Sequence, residues 1–171
     1  GIVFTTSLKH FCAGADLKER SKMSNEETID TVYMIKSLFF NIYSLPFPTI
    51  SVIQGACLGG GLELVLSCDF RFATEDAIFG LPETTLGIIP GAGGTQFLPR
   101  LVGIQNAKKM IYSGKNIDSK EALRIGLIDE LCKSKNIYSS AMALMSSFNL
   151  SSKSAIKSAK TSINQGVDLD L

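Results

Sequence analysis

Two rhythms of apolar residues run along this chain. Short unbroken apolar or β-branched runs read as buried strands, and recurrences at three and four residues read as helices. Residues 1–6 and 49–53 are of the first kind, with residues 69–73, 77–80 and 127–131 as further short examples. The second is clearest over residues 25–44, where Ile29, Val32, Ile35, Leu38, Phe39 and Ile42 fall at helical spacing. Ser24, with Glu27 three residues on, is the pattern of a capping box at its start, and Pro46 and Pro48 stop it. Helical patterns also cover residues 62–67, a stretch capped by Thr95 and running towards Leu101, and residues 106–113, 138–148 and 154–165. Another spans residues 119–125, from an Asp118/Ser119 cap to Gly126. Alternating strands and helices predict the α/β class, and no linker divides residues 1–171 into more than one domain.

Composition narrows the field. Hydrophobic residues make up 45% of 171 and charged residues 19%, a globular balance that argues against disorder. A formal net charge of +1 gives no strongly basic nucleic-acid surface. Cys12, Cys57, Cys68 and Cys132 form no CxxC pair and read as reduced thiols of an intracellular protein. With one histidine, His10, no zinc-ligand spacing is visible, and no apolar run reaches membrane-spanning length. The chain opens inside a strand without an initiator Met, as expected of a fragment.

Three segments carry candidate chemistry. In Gly59-Gly60-Gly61-Leu62-Glu63 a strand turns through glycines into a helix start, where backbone N–H groups lack intrahelical acceptors. Such donors stabilise a carbonyl oxygen that becomes an enolate, and Glu63 in the same turn is placed to move a proton beside it. A tight packing turn with an ordinary first-turn glutamate explains the same residues. Glu83, stiffened by Pro82 after Gly80-Leu81, is a second carboxylate; with Glu63 it can hold a water, one accepting its proton and one giving a proton to carbon. A solvated loop glutamate is its plainer reading. The small-residue loop from Phe11 through Cys12, Ala13, Gly14 and Ala15 to Asp16, Leu17 and Lys18 lets backbone amides approach a polar ligand, a weak signal alone.

Together the segments resemble the crotonase (enoyl-CoA hydratase/isomerase) superfamily. The resemblance rests on FCAGADLKE (residues 11–19), QGACLGGGLELVLSCDFRFA (54–73), FGLPETTLGIIPGAGGTQ (79–96) and LPRLVG (98–103), four motifs in the right order over nearly the whole chain. It implies a ClpP-like spiral of ββα units, present as a fragment without the family's N-terminal strands and C-terminal helical trimerisation region. Glu63 and Glu83 match the family's catalytic glutamates, and Ala15 and Gly60 its oxyanion-hole donors. Ala13, Asp16, Leu17 and Lys18 match the segment lining the coenzyme A site, and Gly91 the loop beside the acyl group; Gly59 and Pro82 flank the matched positions. The implied reaction is reversible addition of water to a 2-enoyl-CoA, with no metal and no cofactor beyond the coenzyme A of the substrate. The resemblance also implies a homotrimer or hexamer and a mitochondrial address.

Within the superfamily, FCAGADLKER and the following Lys22-Met23-Ser24 are similar to methylglutaconyl-CoA hydratases of leucine breakdown, which also bind AU-rich RNA through a basic helix, and to related mitochondrial hydratase-domain proteins. The matching residues 18–36 read first as a helix with a solvated basic face, and RNA contact is the lesser reading. Enoyl-CoA isomerisation and a catalytically silent RNA-binding role are the rival functions. One departure stands out: Phe97 replaces the arginine common after GGTQ, which removes a charged anchor and puts the local packing in question.

Overall fold

The computed structural model describes residues 1–167 and Leu169; Asp168, Asp170 and Leu171 lie outside the described residues. In chain order the elements are β1 (Ile2–Phe4), α1 (Leu17–Arg20), α2 (Asn25–Tyr43), β2 (Thr49–Ile53), β3 (Ala56–Leu58), α3 (Gly60–Leu66), β4 (Phe70–Thr74) and β5 (Ile78–Gly80). A 3-10 turn, Pro82–Leu86, leads to α4 (Gly94–Val102), α5 (Ile104–Ser113), β6 (Ile117–Asp118), α6 (Ser119–Arg124), β7 (Glu130–Cys132) and α7 (Ile137–Ser147). A second 3-10 turn, Phe148–Leu150, precedes α8 (Lys153–Gly166).

The strands form two sheets. One is parallel, in the order β1-β2-β4-β7; the other, β3-β5-β6, joins a parallel pair to an antiparallel one. The fold is therefore α/β, as the alternating pattern predicts. β2 is a continuous buried run, which suits a central strand covered on both faces. Ile50, Val52 and Phe72 pack with Ile137 and Ala141 of α7. The largest cluster gathers Leu62, Val65 and Leu66 of α3 with Phe79, Leu81, Leu98, Val102, Met110 and Leu127. The helix that begins at the triple glycine is thus driven into the centre of the molecule.

Most predicted elements appear close to their expected bounds, and the differences have local causes. Ser24 and Glu27 close the reciprocal capping box at the start of α2: the Glu27 amide donates to Ser24 Oγ (3.2 Å) and the Ser24 amide to Glu27 Oε2 (2.7 Å). α4 is capped by Gly93 and not by Thr95, with no side-chain cap bond. The apolar run at residues 127–131 is only half strand. Leu127 and Ile128 are core residues of the loop after α6, and β7 begins at Glu130. β3 and β6 are missing from the sequence reading; both exist by pairing with β5.

Two polar ties lock this frame. Arg71, 3% exposed, donates to the carbonyls of Leu127 (2.8 Å) and Cys68 (2.7 Å) and meets Asp129 at 3.4 Å. Lys160 of α8 reaches Asp69 at 2.8 Å, and the same carboxylate oxygen accepts from the Thr49 amide. Among the described residues no helix is long and apolar enough to cross a membrane.

Candidate active site

The site is built where three chain segments converge on the start of α3. The first is the loop after β1. Its Cys12 amide donates to Ala56 and its Cys12 carbonyl accepts from Leu58, so the loop runs alongside β3 like a short extra strand. The second is the triple-glycine turn, tied to β5 by the Gly59 amide donating to Gly80 (2.9 Å). The third is the 3-10 turn after β5, which carries Glu83. Gly61 packs so closely on the Cys12 carbonyl that any Cβ there would collide with it. That contact draws residues 12–15 against the start of α3.

A Cβ placed on Gly14 would lie 3.5 Å from the Gly60 nitrogen. The turn holding Ala13, Gly14 and Ala15 therefore lies against the turn holding Gly59 and Gly60. The space a Gly60 side chain would fill is open. As the first residue of α3, Gly60 offers an N–H with no carbonyl four residues back within the helix.

Glu63 is buried, 3% exposed, one turn into α3. Its Oε1 accepts from the amides of Ala92 and Gly94, both at 2.8 Å. Burial drives its pKa above the ordinary carboxylate range, and the amides of Gly94, Ala92 and Gly93 pull the other way. Glu83 is held differently. Its Oε1 lies 3.2 Å from where a Gly59 Cβ would sit, and its buried Oε2 has no hydrogen-bond partner. Burial, and secondarily the charge of Glu63, raises its pKa, while its own backbone amide lowers it. Glu83 thus senses the charge of Glu63.

The remaining predicted positions lie around this centre. Pro82 opens the 3-10 turn beside Glu83. Gly91 is exposed, in contact range of Val32 on α2, and belongs to the loop whose next residues hold Glu63. Ala13, Ala15, Leu17 and Lys18 are exposed along the approach. Asp16 caps α1 by accepting from the Lys18 amide (2.8 Å). Residues 18–36 do not form one basic helix: α1 ends at Arg20, Ser24 starts α2, and Glu26, Glu27 and Asp30 stand between Lys22 and Lys36.

Sequence reasoning missed the amides of Ala92 and Gly94. The glycines of residues 87–94 marked a loop, but nothing in their pattern pointed back to Glu63. The doubt over Phe97 is answered by an aromatic contact. Its ring centroid lies 5.0 Å from that of Tyr43, so α4 is fastened to α2 by a ring where a charge was expected. Among the described residues no group of three or more His, Cys, Asp or Glu side chains could hold a metal ion.

This geometry has counterparts. The enoyl-CoA hydratase/isomerase family model matches residues 1–171. The Bacillus subtilis protein YngF is 45% identical over 170 residues, 99% of this chain and 65% of its own length. Human mitochondrial methylglutaconyl-CoA hydratase is 47% identical over 165 residues, 94% of this chain and 49% of its own. The crystal structure of an enoyl-CoA hydratase from Bacillus anthracis superposes with a TM-score of 0.95 at 43% identity, over 99% of this chain and 66% of that one. The chain spans about half to two thirds of the length of these relatives. By motif, by fold and by the match along its whole length, the chain belongs to the enoyl-CoA hydratase/isomerase family of the crotonase superfamily.

Proposed function

We propose that the protein hydrates 2-enoyl-CoA thioesters, with Glu63 and Glu83 as its acid–base pair and the backbone amides of Ala15 and Gly60 as its oxyanion hole. The observation that carries this reading is a pair of carboxylates around one glycine turn, Glu63 buried on the Ala92 and Gly94 amides and Glu83 against Gly59 with its Oε2 buried and unpartnered; burial raises the pKa of both. An isolated structural glutamate gains nothing from such a place.

The chemistry follows from the difference between the two. The thioester oxygen takes up negative charge as hydroxide adds to Cβ, and amides placed at that oxygen stabilise it; losing one such donor costs about 100–1,000-fold in rate. Glu63, steadied by two amide donors, is suited to remain ionised and take the proton of the attacking water. Glu83, with no donor on Oε2 and the charge of Glu63 nearby, is suited to carry a proton and deliver it to Cα. Water is consumed, its hydroxide at Cβ and a proton at Cα, and the pair regains its starting state by exchanging one proton. Ala13, Asp16, Leu17 and Lys18 are read as the coenzyme A approach, and Gly91 as a wall of the acyl slot with Gly59 and Pro82 lining the turn between.

3-Methylglutaconyl-CoA is the first specific substrate to try, because a hydratase named for it is among the relatives. A mitochondrial address and a trimeric or hexameric assembly belong to the same reading. The decisive assay is hydration of crotonyl-CoA and 3-methylglutaconyl-CoA by the whole protein, wild type beside Glu63→Gln and Glu83→Gln. Turnover by wild type and near-complete loss in both variants supports hydration. Retention of double-bond migration with only one glutamate identifies an isomerase.

A further inference from the structure

Glu63 is held by hydrogen bonds to its own carboxylate, but the position of Glu83 has another origin. We infer that Thr84 is a positioning residue for Glu83: its hydroxyl clamps the 3-10 turn onto the end of α5 and so fixes where the neighbouring carboxylate points. This rests on the reading of Glu83 as half of the acid–base pair and adds a residue to it.

The clamp is visible in the contacts of the turn. Thr84 Oγ1 donates to the Ile111 carbonyl at 2.6 Å across 27 residues of sequence. Ile111 lies in the last turn of α5, where carbonyls have no intrahelical donor, and the Thr84 hydroxyl satisfies one of them. The next free carbonyl back, that of Met110, is taken by the Gly114 amide at 3.0 Å. Gly114 then turns the chain so close to the 3-10 turn that a Cβ there would meet the Thr85 methyl and lie 3.5 Å from Pro82 Cα. The turn is closed on itself by Thr85 Oγ1 donating to Pro82 (2.7 Å) and by the Ile88 amide donating to Glu83 (3.2 Å). Of the side-chain hydrogen bonds that tie this turn, the one from Thr84 reaches farthest along the chain.

Glu83 sits one residue before that anchor with Oε2 buried and unpartnered. A carboxylate in this state drifts towards solvent if its backbone is released. Misplacement of a reacting group by about 1 Å costs up to about a hundredfold in rate.

The test compares Thr84→Val, which keeps the shape and removes the donor, with Thr84→Ser, which keeps the donor, in the whole protein. Ser119→Ala is the control: it deletes another hydroxyl-to-carbonyl bond, to Glu75 at 2.9 Å, away from the site. Two readouts are taken, kcat and KM for crotonyl-CoA hydration, and the titration of the Glu83 carboxyl carbon by NMR, assigned by its loss in Glu83→Gln. Thr84→Val is expected to lower kcat about tenfold to a hundredfold with KM within about twofold. It should also bring the Glu83 titration down towards the ordinary range. Thr84→Ser should restore both, and Ser119→Ala should move neither. If Thr84→Val does not fold, Thr84→Ala removes the same hydroxyl without an added methyl. An unchanged Glu83 titration in the variant lacking the hydroxyl overturns the clamp. A wild type that hydrates nothing, yet whose Glu83 titration falls in Thr84→Val, overturns the hydratase reading and leaves the clamp standing.

Discussion

Glu63 and Glu83 are both raised in pKa, but what each loses on ionising is not the same. Glu63 meets two amide dipoles when it becomes charged. Glu83 meets burial and the charge of Glu63, with only its own amide in compensation. A carboxyl whose folded pKa lies above its unfolded value stabilises the fold most while protonated, and that contribution is lost as pH rises through the folded value. Glu83→Gln removes the loss. It should therefore melt higher than wild type at neutral and alkaline pH, and the gap should close in acid, where the wild-type carboxyl is protonated too. On the proposed hydratase reading, the same shifts place the acid limb of the pH–rate profile above the ordinary carboxylate range. Thermal melts across pH and a kcat/KM profile check both. At this scale the sequence was half legible. A strand, three glycines and Glu63 at a helix start announce a turn with donors and an acid, but sequence separation hides that Ala92 and Gly94 supply its hydrogen bonds, 29 and 31 residues away.

Elements were most legible where their ends carry their own chemistry. Ser24 and Glu27 mark the start of α2 because the capping box is local, and Asp118 marks the start of α6 by accepting from the Glu121 amide at 2.8 Å. Elements defined by distant partners were not legible, as β3 and β6 illustrate. The α2 cap also carries a pH signature. Bonds from the backbone and side chain of Ser24 lower the Glu27 pKa, so the support Glu27 gives is present above its unfolded pKa and fades as pH falls through the folded one. Ser24→Ala should cost about 1 kcal/mol at neutral pH and speed hydrogen exchange in the first turn of α2. It should leave the melting of the rest of the protein nearly unchanged, because that turn buries no residue.

Across the whole molecule, the parallel sheet is held at its far edge by one buried cation. Arg71 binds β4 to the loop after α6 through the Leu127 carbonyl and to the turn before β4 through the Cys68 carbonyl, with Asp129 beside it. Burial lowers its pKa, and the nearby Asp129 carboxylate partly restores it. Arg71→Met fills the space but strands the carbonyls, at about 1–3 kcal/mol for each group left unpaired. The expected result is a loss of several kcal/mol of stability, seen as a lower urea midpoint with the unfolding slope unchanged, since the loss lies in the folded state.

The start of α3 has a last consequence, for how this protein can change over generations. Gly60 and Glu63 ride on one short helix whose Leu62, Val65 and Leu66 are sealed in the core. By contrast, Ile29, Tyr33, Met34, Leu38 and Phe40 of α2, along with Leu86 and Ile89 near the Gly91 loop, stand open to solvent. Of the proposed machinery, Gly60 and Glu63 are thus insulated from the surfaces free to be re-decorated, whereas Glu83 shares its 3-10 turn with Leu86. On the proposed reading, laboratory selection for a new acyl group should therefore gather its substitutions on the exposed face of α2 and at Ile89 and leave α3 untouched, so that preference is rewritten around an inherited Glu63.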